Sequence, residues 1–511
     1  MKHHILLMVC LLMAASCQRS EVITYPAPEK EMKSDDFEMF VNDKPVFIYQ
    51  ARVSKFPVNQ IWPGYQRPKD QTEIASFAYF DFKGKVGVKI ISNKEIKSLN
   101  IRPKEYNIKS SLKGNIIEFK LSRPLQFIVE VNGYHHALHI FANPIEDLKI
   151  NKEDSAVHYF GPGVHDAGEI RLKSNETLFI DGGAVVHGVV TSQDTRNIRI
   201  TGRGILDASK IARGELPRMI TLRGVENAEI NGIILRDPHV YAVAPMNCDR
   251  ITVDNIKLIG LWRYNTDGIH TSNSSNVTIR NCFVRAFDDG IVMSASRRGY
   301  DKHHHVMENI TVDNCVIWND WGRAMEIGAG TFTDTIRNIS FSNCYIPHFT
   351  SVAMDIQNCD RAFITDIQYE NIYIEEPILD SLALASTPLF ARAWGKIIVL
   401  GVYGSHYSRD SVRGHINNIY FSNIRYNYTE NPILNYTEYD SVLYADDATH
   451  FVRDNLYYGD IKYNSTQSNI VYLSGYDSTH AIANIFIENL YINSEKAMDM
   501  SLIGKMNLYI I

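Results

Sequence analysis

Asn276-Val277-Thr278-Ile279-Arg280-Asn281-Cys282 alternates polar and apolar side chains and closes on an asparagine and a cysteine. That alternation is the signature of a strand with one face buried. The pattern returns as Asn309-Ile310-Thr311-Val312-Asp313-Asn314-Cys315 and as Asn338-Ile339-Ser340-Phe341-Ser342-Asn343-Cys344. Upstream copies run over 197–202, 227–232 and 250–255, and downstream ones end at Asn371, Asn423 and Asn489. From Asn255 the steps to Asn281, Asn314, Asn343 and Asn371 are 26, 33, 29 and 28 residues. A period of this size marks a stacked repeat. Each unit is rich in strands and lacks helical periodicity, so leucine-rich and helical solenoids fit badly. The reading predicts an all-β chain whose main body, residues 156–511, is a right-handed parallel β-helix. Asn281, Asn314 and Asn343 are then expected to stack as a ladder, one per turn. The intervals roughly double after Asn371, which implies long loops or further turns.

Ahead of the repeat the texture differs. Residues 37–155 hold short alternating runs such as Pro45-Val46-Phe47-Ile48-Tyr49 and Ala75-Ser76-Phe77-Ala78-Tyr79-Phe80. Their length and spacing predict a small antiparallel β-sandwich. Residues 18–36 are polar, with Pro26 and Pro28, and read as a tether. At the start, Lys2-His3-His4 precedes the apolar run 5–15 and Ser16-Cys17. A short apolar run behind a positive start reads as a secretory signal rather than a spanning helix. Small residues before Cys17 resemble a bacterial lipobox, which implies lipidation at Cys17. The chain is therefore expected to be exported, as an outer-membrane or periplasmic lipoprotein or else as a secreted protein.

Net charge is −6 with no long basic run, so nothing points to nucleic acid, and a lipid anchor is the one membrane link expected. Five cysteines follow Cys17, and three share the Asn-Cys context of the repeat; an odd number so spaced argues against a disulfide scaffold.

The repeat supplies a register for the acids. Asn265-Thr266-Asp267-Gly268-Ile269-His270 lies one unit before Asp288-Asp289-Gly290-Ile291-Val292-Met293. Aligning Gly268-Ile269, Gly290-Ile291, Ala324-Met325 and Ala353-Met354 places Asp267, Asp289, Arg323 and Val352 at one level of one parallel sheet. His270, Val292, Glu326 and Asp355 fall three positions further along. Carboxylates on neighbouring strands, roughly 4.8 Å apart, repel, so folding alone does not favour them. Glycoside hydrolysis uses such a set: one protonated acid meets the glycosidic oxygen and a carboxylate activates water. Like charges raise one carboxyl's proton affinity, which suits the acid.

Asn265-Thr266-Asp267 followed by Asp288-Asp289 resembles the motif of polygalacturonase-type hydrolases, inverting enzymes built on a right-handed parallel β-helix. Two features depart from that pattern. Gly322-Arg323-Ala324 stands where the family has Gly-His-Gly, and Val352 to Asp355 stands near its Arg-Ile-Lys, the pair that holds a substrate carboxylate. The dextranase and isopullulanase group is similar too, sharing three aspartates, the β-helix and an N-terminal sandwich; Ile317-Trp318 and Met325-Glu326-Ile327-Gly328 look more like it. The resemblance covers about residues 158–375. It implies catalysis by Asp267, Asp288 and Asp289, with Asn265, His270, Arg323, Glu326 and Asp355 against a polysaccharide or oligosaccharide. It implies no cofactor and no metal.

Other features carry less. His303-His304-His305 has no partner ligands at closing spacing and reads as a polar loop. Trp262, Trp318 and Trp321 are either sugar platforms or packed core. Gly202-Arg203-Gly204 reads as a turn. Two rival functions remain: a polysaccharide lyase, which would want Ca²⁺ acids and a Lys or Arg base, and a non-catalytic glycan-binding β-helix.

Overall fold

The computed structural model describes residues 20–55, 67–296, 306–378, 395–405, 407–429, 471–477, 479–496 and 503–506. Cys17 and the His303–His305 loop lie outside them. From Val157–Phe160 onward every turn adds strands that pair in parallel with those of the turn before, and the sole antiparallel closure among the described strands is Ile482–Ile492 with Glu495–Lys496. The result is the expected right-handed parallel β-helix. Its interior is a continuous column of Ile, Val, Leu, Met and Cys side chains, with Ile251, Val277, Ile310 and Ile339 stacked in register and almost wholly buried. Alternation dictates this: on each strand every second side chain points inward.

The wall has three sheets. One carries the Asn-Ile-x-x repeats, and their polar residues face out. Asparagines mark both of its corners, because Asn tolerates the left-handed backbone that each corner needs: φ is 55° at Asn281, 50° at Asn314 and 52° at Asn343. Asn314 Nδ2 donates to Asn281 Oδ1 at 2.8 Å, whereas Asn343 Nδ2 donates to Asp313 Oδ1, also at 2.8 Å. The ladder therefore steps sideways here, as it does where Asn281 donates to Asp254, then resumes as Asn371 to Asn343 and Asn423 to Asn371. A second ladder, Asn338 to Asn309 to Asn276, runs along the other corner. Cys282, Cys315 and Cys344 point into the core as free thiols, and those of Cys282 and Cys344 each donate to a nearby carbonyl. Across the doubled intervals Phe363–Pro377, His415–Tyr426 and Ile482–Ile492 are direct neighbours in this sheet.

The N-terminal unit is a sandwich of a five-stranded and a six-stranded sheet. The strand Thr72–Lys83 is apolar on both faces for a reason. Ala78, Phe80 and Phe82 fill the sandwich core, while Phe77 and Tyr79 on the other face pack against Ile205, Ile234, Phe283 and Trp318 of the solenoid. One stretch corrects the sequence reading. Within the supposed tether, Glu21–Thr24 pairs antiparallel with Phe80–Lys83, and Glu31 grips Arg236 of the solenoid at 2.7 Å. A four-residue edge strand is too short to show an alternation. Buried ion pairs complete the junction: Arg102 binds Glu130 at 2.8 Å and also Glu375 of the solenoid, and Arg203 binds Asp81 at 3.0 Å.

Candidate active site

The acids sit where the sandwich-covered sheet turns into the third sheet. That sheet contains Val243–Met246, Ile269–Ser272, Ile291–Ala295, Arg323–Thr331 and Val352–Asn358. Its register is the one read from the sequence: Ile269 pairs with Ile291, Ile291 with Met325, and Met325 with Met354. One step earlier, Gly268 N donates to Asp289 O at 2.8 Å and Gly290 N to Arg323 O at 2.7 Å. Asp267, Asp289 and Arg323 therefore lie on one level of successive turns, with Val352 beyond them.

Consecutive residues of a strand point apart, so Asp288 and Asp289 can join one cluster only if the chain bends. It does. The strand Phe283–Ala286 ends before them, and regular pairing resumes at Ile291. The side chain of Asn319 holds the bend, donating to Asp288 O at 2.5 Å and to Arg323 O at 3.4 Å. Gly322 lets the next turn pass close beneath: a Cβ there would lie 2.5 Å from Asp289 Oδ1 and 2.6 Å from the Asp288 carbonyl carbon. Phe287, just before the acids, is capped by the sandwich residue Arg67 at 4.3 Å.

Each acid has its own surroundings. Asp267 Oδ2 lies 2.6 Å from His270 Nδ1, and His270 Nε2 lies 2.8 Å from Ser294 Oγ. Burial pushes His270 down to about 4, so near neutral pH the ring is uncharged. Asn265 Nδ2 reaches Asp288 Oδ2 at 3.4 Å, and Asn265 Oδ1 accepts from Arg213 at 2.6 Å. Asp289 Oδ1 accepts from Arg323 N at 2.8 Å, with the guanidinium 3.9 Å away. Arg323 Nε also binds Asp355 Oδ2 at 3.2 Å. Burial, then the charges of Asp289 and Asp267, hold Asp288 well above the ordinary carboxyl range. Asp267 is raised too, by burial and then by Asp289. The cluster thus retains a proton where an isolated carboxyl would lose it.

All of the site residues expected from the sequence, except Cys17, converge here. Glu326 and Asp355 are only 2 % exposed and lie behind the acids instead of at the surface. Gln357 Nε2 donates to both, at 2.9 Å each. The three tryptophans are packed: Trp318 is fully buried under the sandwich, Trp262 donates to Asp237 at 2.9 Å, and Trp321 rests against Phe287. Sequence reasoning missed Tyr241, which stacks on His270 at 4.5 Å beneath Arg218, and Tyr407, half-exposed beside Asp288, Asp289 and Arg323. Tyr241 was reachable by carrying the register one turn back, since Val243 pairs with Ile269. Tyr407 follows a long insertion and has no such marker.

The comparisons with known proteins converge on carbohydrate-active β-helices. Residues 167–379, which include every one of these acids, match the family described as Glycosyl hydrolases family 28. An exopolygalacturonase of Arabidopsis thaliana is 26 % identical over 184 residues, covering 30 % of this chain and 44 % of that protein. A dextranase of Arthrobacter sp. (strain CB-8) is 22 % identical over 263 residues, covering 45 % of this chain and 39 % of that protein. The chain thus spans less than half the length of these curated relatives. The solved structure of Dex49A from Penicillium minioluteum superposes over 94 % of this chain and 92 % of its own, with a TM-score of 0.60 at 14 % identity. The resemblance to both the polygalacturonase and the dextranase groups is therefore real, and the last likeness establishes the fold.

Proposed function

We propose that this protein hydrolyses the glycosidic bonds of a polysaccharide or oligosaccharide with inversion at the anomeric carbon. The observation that carries the reading is the convergence of Asp267, Asp288 and Asp289 through a bend that Asn319 and Gly322 sustain. Asp288 is the general acid: buried among like charges, it keeps its proton and delivers it to the leaving oxygen as the C–O bond breaks. A water oxygen forms the new bond to the anomeric carbon from the opposite face, and its proton passes to the Asp267–Asp289 pair. The charge of Asp289 raises Asp267, so these two compete for one negative charge and act as a unit. His270 orients Asp267, and Arg323 orients Asp289.

The cleaved unit is a neutral sugar in this reading. The Arg-Ile-Lys position holds Val352, which is buried, and Asp355, which is bound to Arg323. Arg323 is thereby engaged by two carboxylates, Glu326 pairs with Asp355 in the same row, and the lysine one turn beyond Val352, Lys396, is buried. Among the described residues no exposed cation at this position is left to receive a uronate in this reading. The export and lipid anchoring expected from residues 1–17 complete the proposal; a Cys17→Ser variant should leave the membrane fraction.

The test is turnover and binding of Asp288→Asn beside the wild type on dextran, polygalacturonate and a panel of other neutral glycans, read as reducing ends. Catalysis should collapse by roughly 10²- to 10⁴-fold on a neutral glycan while binding persists. Turnover confined to de-esterified polygalacturonate would overturn the substrate assignment, and undiminished turnover would overturn the catalytic one.

A further inference from the structure

Behind the acids lies a carboxyl that the mechanism leaves unused. Glu326 is 2 % exposed, and its Oε1 accepts from Gln357 Nε2 at 2.9 Å. The amide of Gln357 cannot be turned the other way round. Its nitrogen donates to Glu326 and to Asp355, and its oxygen accepts from the Tyr403 hydroxyl. No further donor comes from that side. The second oxygen, Glu326 Oε2, is buried and receives no hydrogen bond from any donor among the described residues. The side-chain partner that the Glu326 carboxyl does have on the neighbouring strand is another carboxyl, that of Asp289.

Two carboxylates cannot lie together bare here: the buried Glu326 Oε2 would lack a donor and both groups would carry charge. A single proton between them removes both problems. The other groups around Glu326 do not supply an alternative. Arg323 Nε is committed to Asp355, and Asp355, Cys359 and Tyr369 contribute a carboxyl, a buried thiol and a buried phenol. We propose that Glu326, like Asp288, is protonated and donates its carboxyl hydrogen to Asp289, as the positioning residue of the water-activating pair. It fixes the Asp289 carboxylate and keeps a second negative charge from forming beside it. Burial, and then the Asp289 charge, act in the same direction by raising Glu326 well above the ordinary carboxyl range. Ionising Glu326 removes a donor from Asp289 and adds a like charge, so catalysis is lost as pH rises through that titration.

This inference rests on the hydrolase reading for its kinetic arm only. The experiment compares the full-length wild type with Glu326→Gln and Glu326→Ala, by infrared difference spectroscopy and by the pH profile of kcat/KM on whichever glycan the Asp288→Asn comparison shows to be cleaved. Glutamine keeps a donor toward Asp289 but cannot titrate. The expected result is that Glu326→Gln removes one protonated-carboxyl carbonyl band near neutral pH, keeps most of its kcat and moves the alkaline limb upward. Glu326→Ala should lose roughly 10- to 100-fold in kcat, the value of a hydrogen bond to a charged group. An unchanged protonated-carboxyl band in Glu326→Gln would overturn the proposal, as would equal losses in both variants with the alkaline limb unmoved. The infrared arm stands even where the alanine variant does not fold. Undiminished hydrolysis by Asp288→Asn would instead remove the hydrolase reading and leave the infrared result to decide the state of Glu326.

Discussion

The side-chain amide of Asn319 donates to the main-chain oxygen of Asp288 at 2.5 Å, across one full turn of the solenoid. This contact sets the direction of the acid, because it fixes the bend that turns Asp288 and Asp289 toward one cluster. Asn319 is fully buried, so its loss cannot be made good by solvent. We expect Asn319→Ala to destabilise the fold by about 1–3 kcal/mol, the cost of orphaning a buried acceptor. Its kcat should fall by roughly a hundredfold, because misplacement of a reacting group is penalised steeply. Thermal melts and steady-state kinetics check this; an intact kcat would show that the bend persists without the amide.

Gly322→Ala should disturb both acids of the bend, the Asp289 side chain and the Asp288 backbone. The added methyl would meet Asp289 Oδ1 at 2.5 Å and rigid backbone at 2.6 Å, so something must move. Overpacking of this kind costs about 1–3 kcal/mol. The kinetic signature should be a fall in kcat with substrate affinity retained, measured by turnover and by glycan binding to the same preparation.

Asp355 supplies a pH dependence whose sign can be fixed. Burial pushes it up to about 6, although Arg323 opposes the shift. The native state therefore holds this proton where the unfolded chain, near 3.8, has lost it. Its contribution to stability is complete below about 4 and disappears as pH rises through about 6. Denaturant melts across that window should show wild-type stability falling relative to Asp355→Asn by ~1–3 kcal/mol. A flat difference between the two proteins would mean that Asp355 titrates as an ordinary carboxyl.

Much of this was legible before any coordinates. The Gly-Ile pairs at 268 and 290, with Ala324-Met325, gave the acid register, because a parallel sheet aligns equivalent residues of successive turns and tolerates little slippage when one face is buried. The asparagine corners were legible for a similar reason, although the second ladder through Asn276, Asn309 and Asn338 went unread. Contacts made across the path of the chain were not legible. Asn319 meets Asp288, and Gln357 meets Glu326 and Asp355, at spacings set by a bend and by loop lengths that no periodicity encodes. The strand Glu21–Thr24 was hidden because its apolar partners belong to a distant stretch, Phe80–Lys83.

The central claim is that Asp288 protonates the leaving oxygen while Asp267 and Asp289 hold the attacking water. An inverting site needs a gap of roughly 6.5–9.5 Å between acid and base for that water. The most direct measurement is the anomeric configuration of the first product, followed by proton NMR from the start of hydrolysis before mutarotation. The account predicts that the first product appears with the anomeric configuration opposite to that of the bond cleaved. A first product of retained configuration, or a retained glycosyl azide formed when azide rescues Asp267→Ala, would make Asp267 a nucleophile and contradict it.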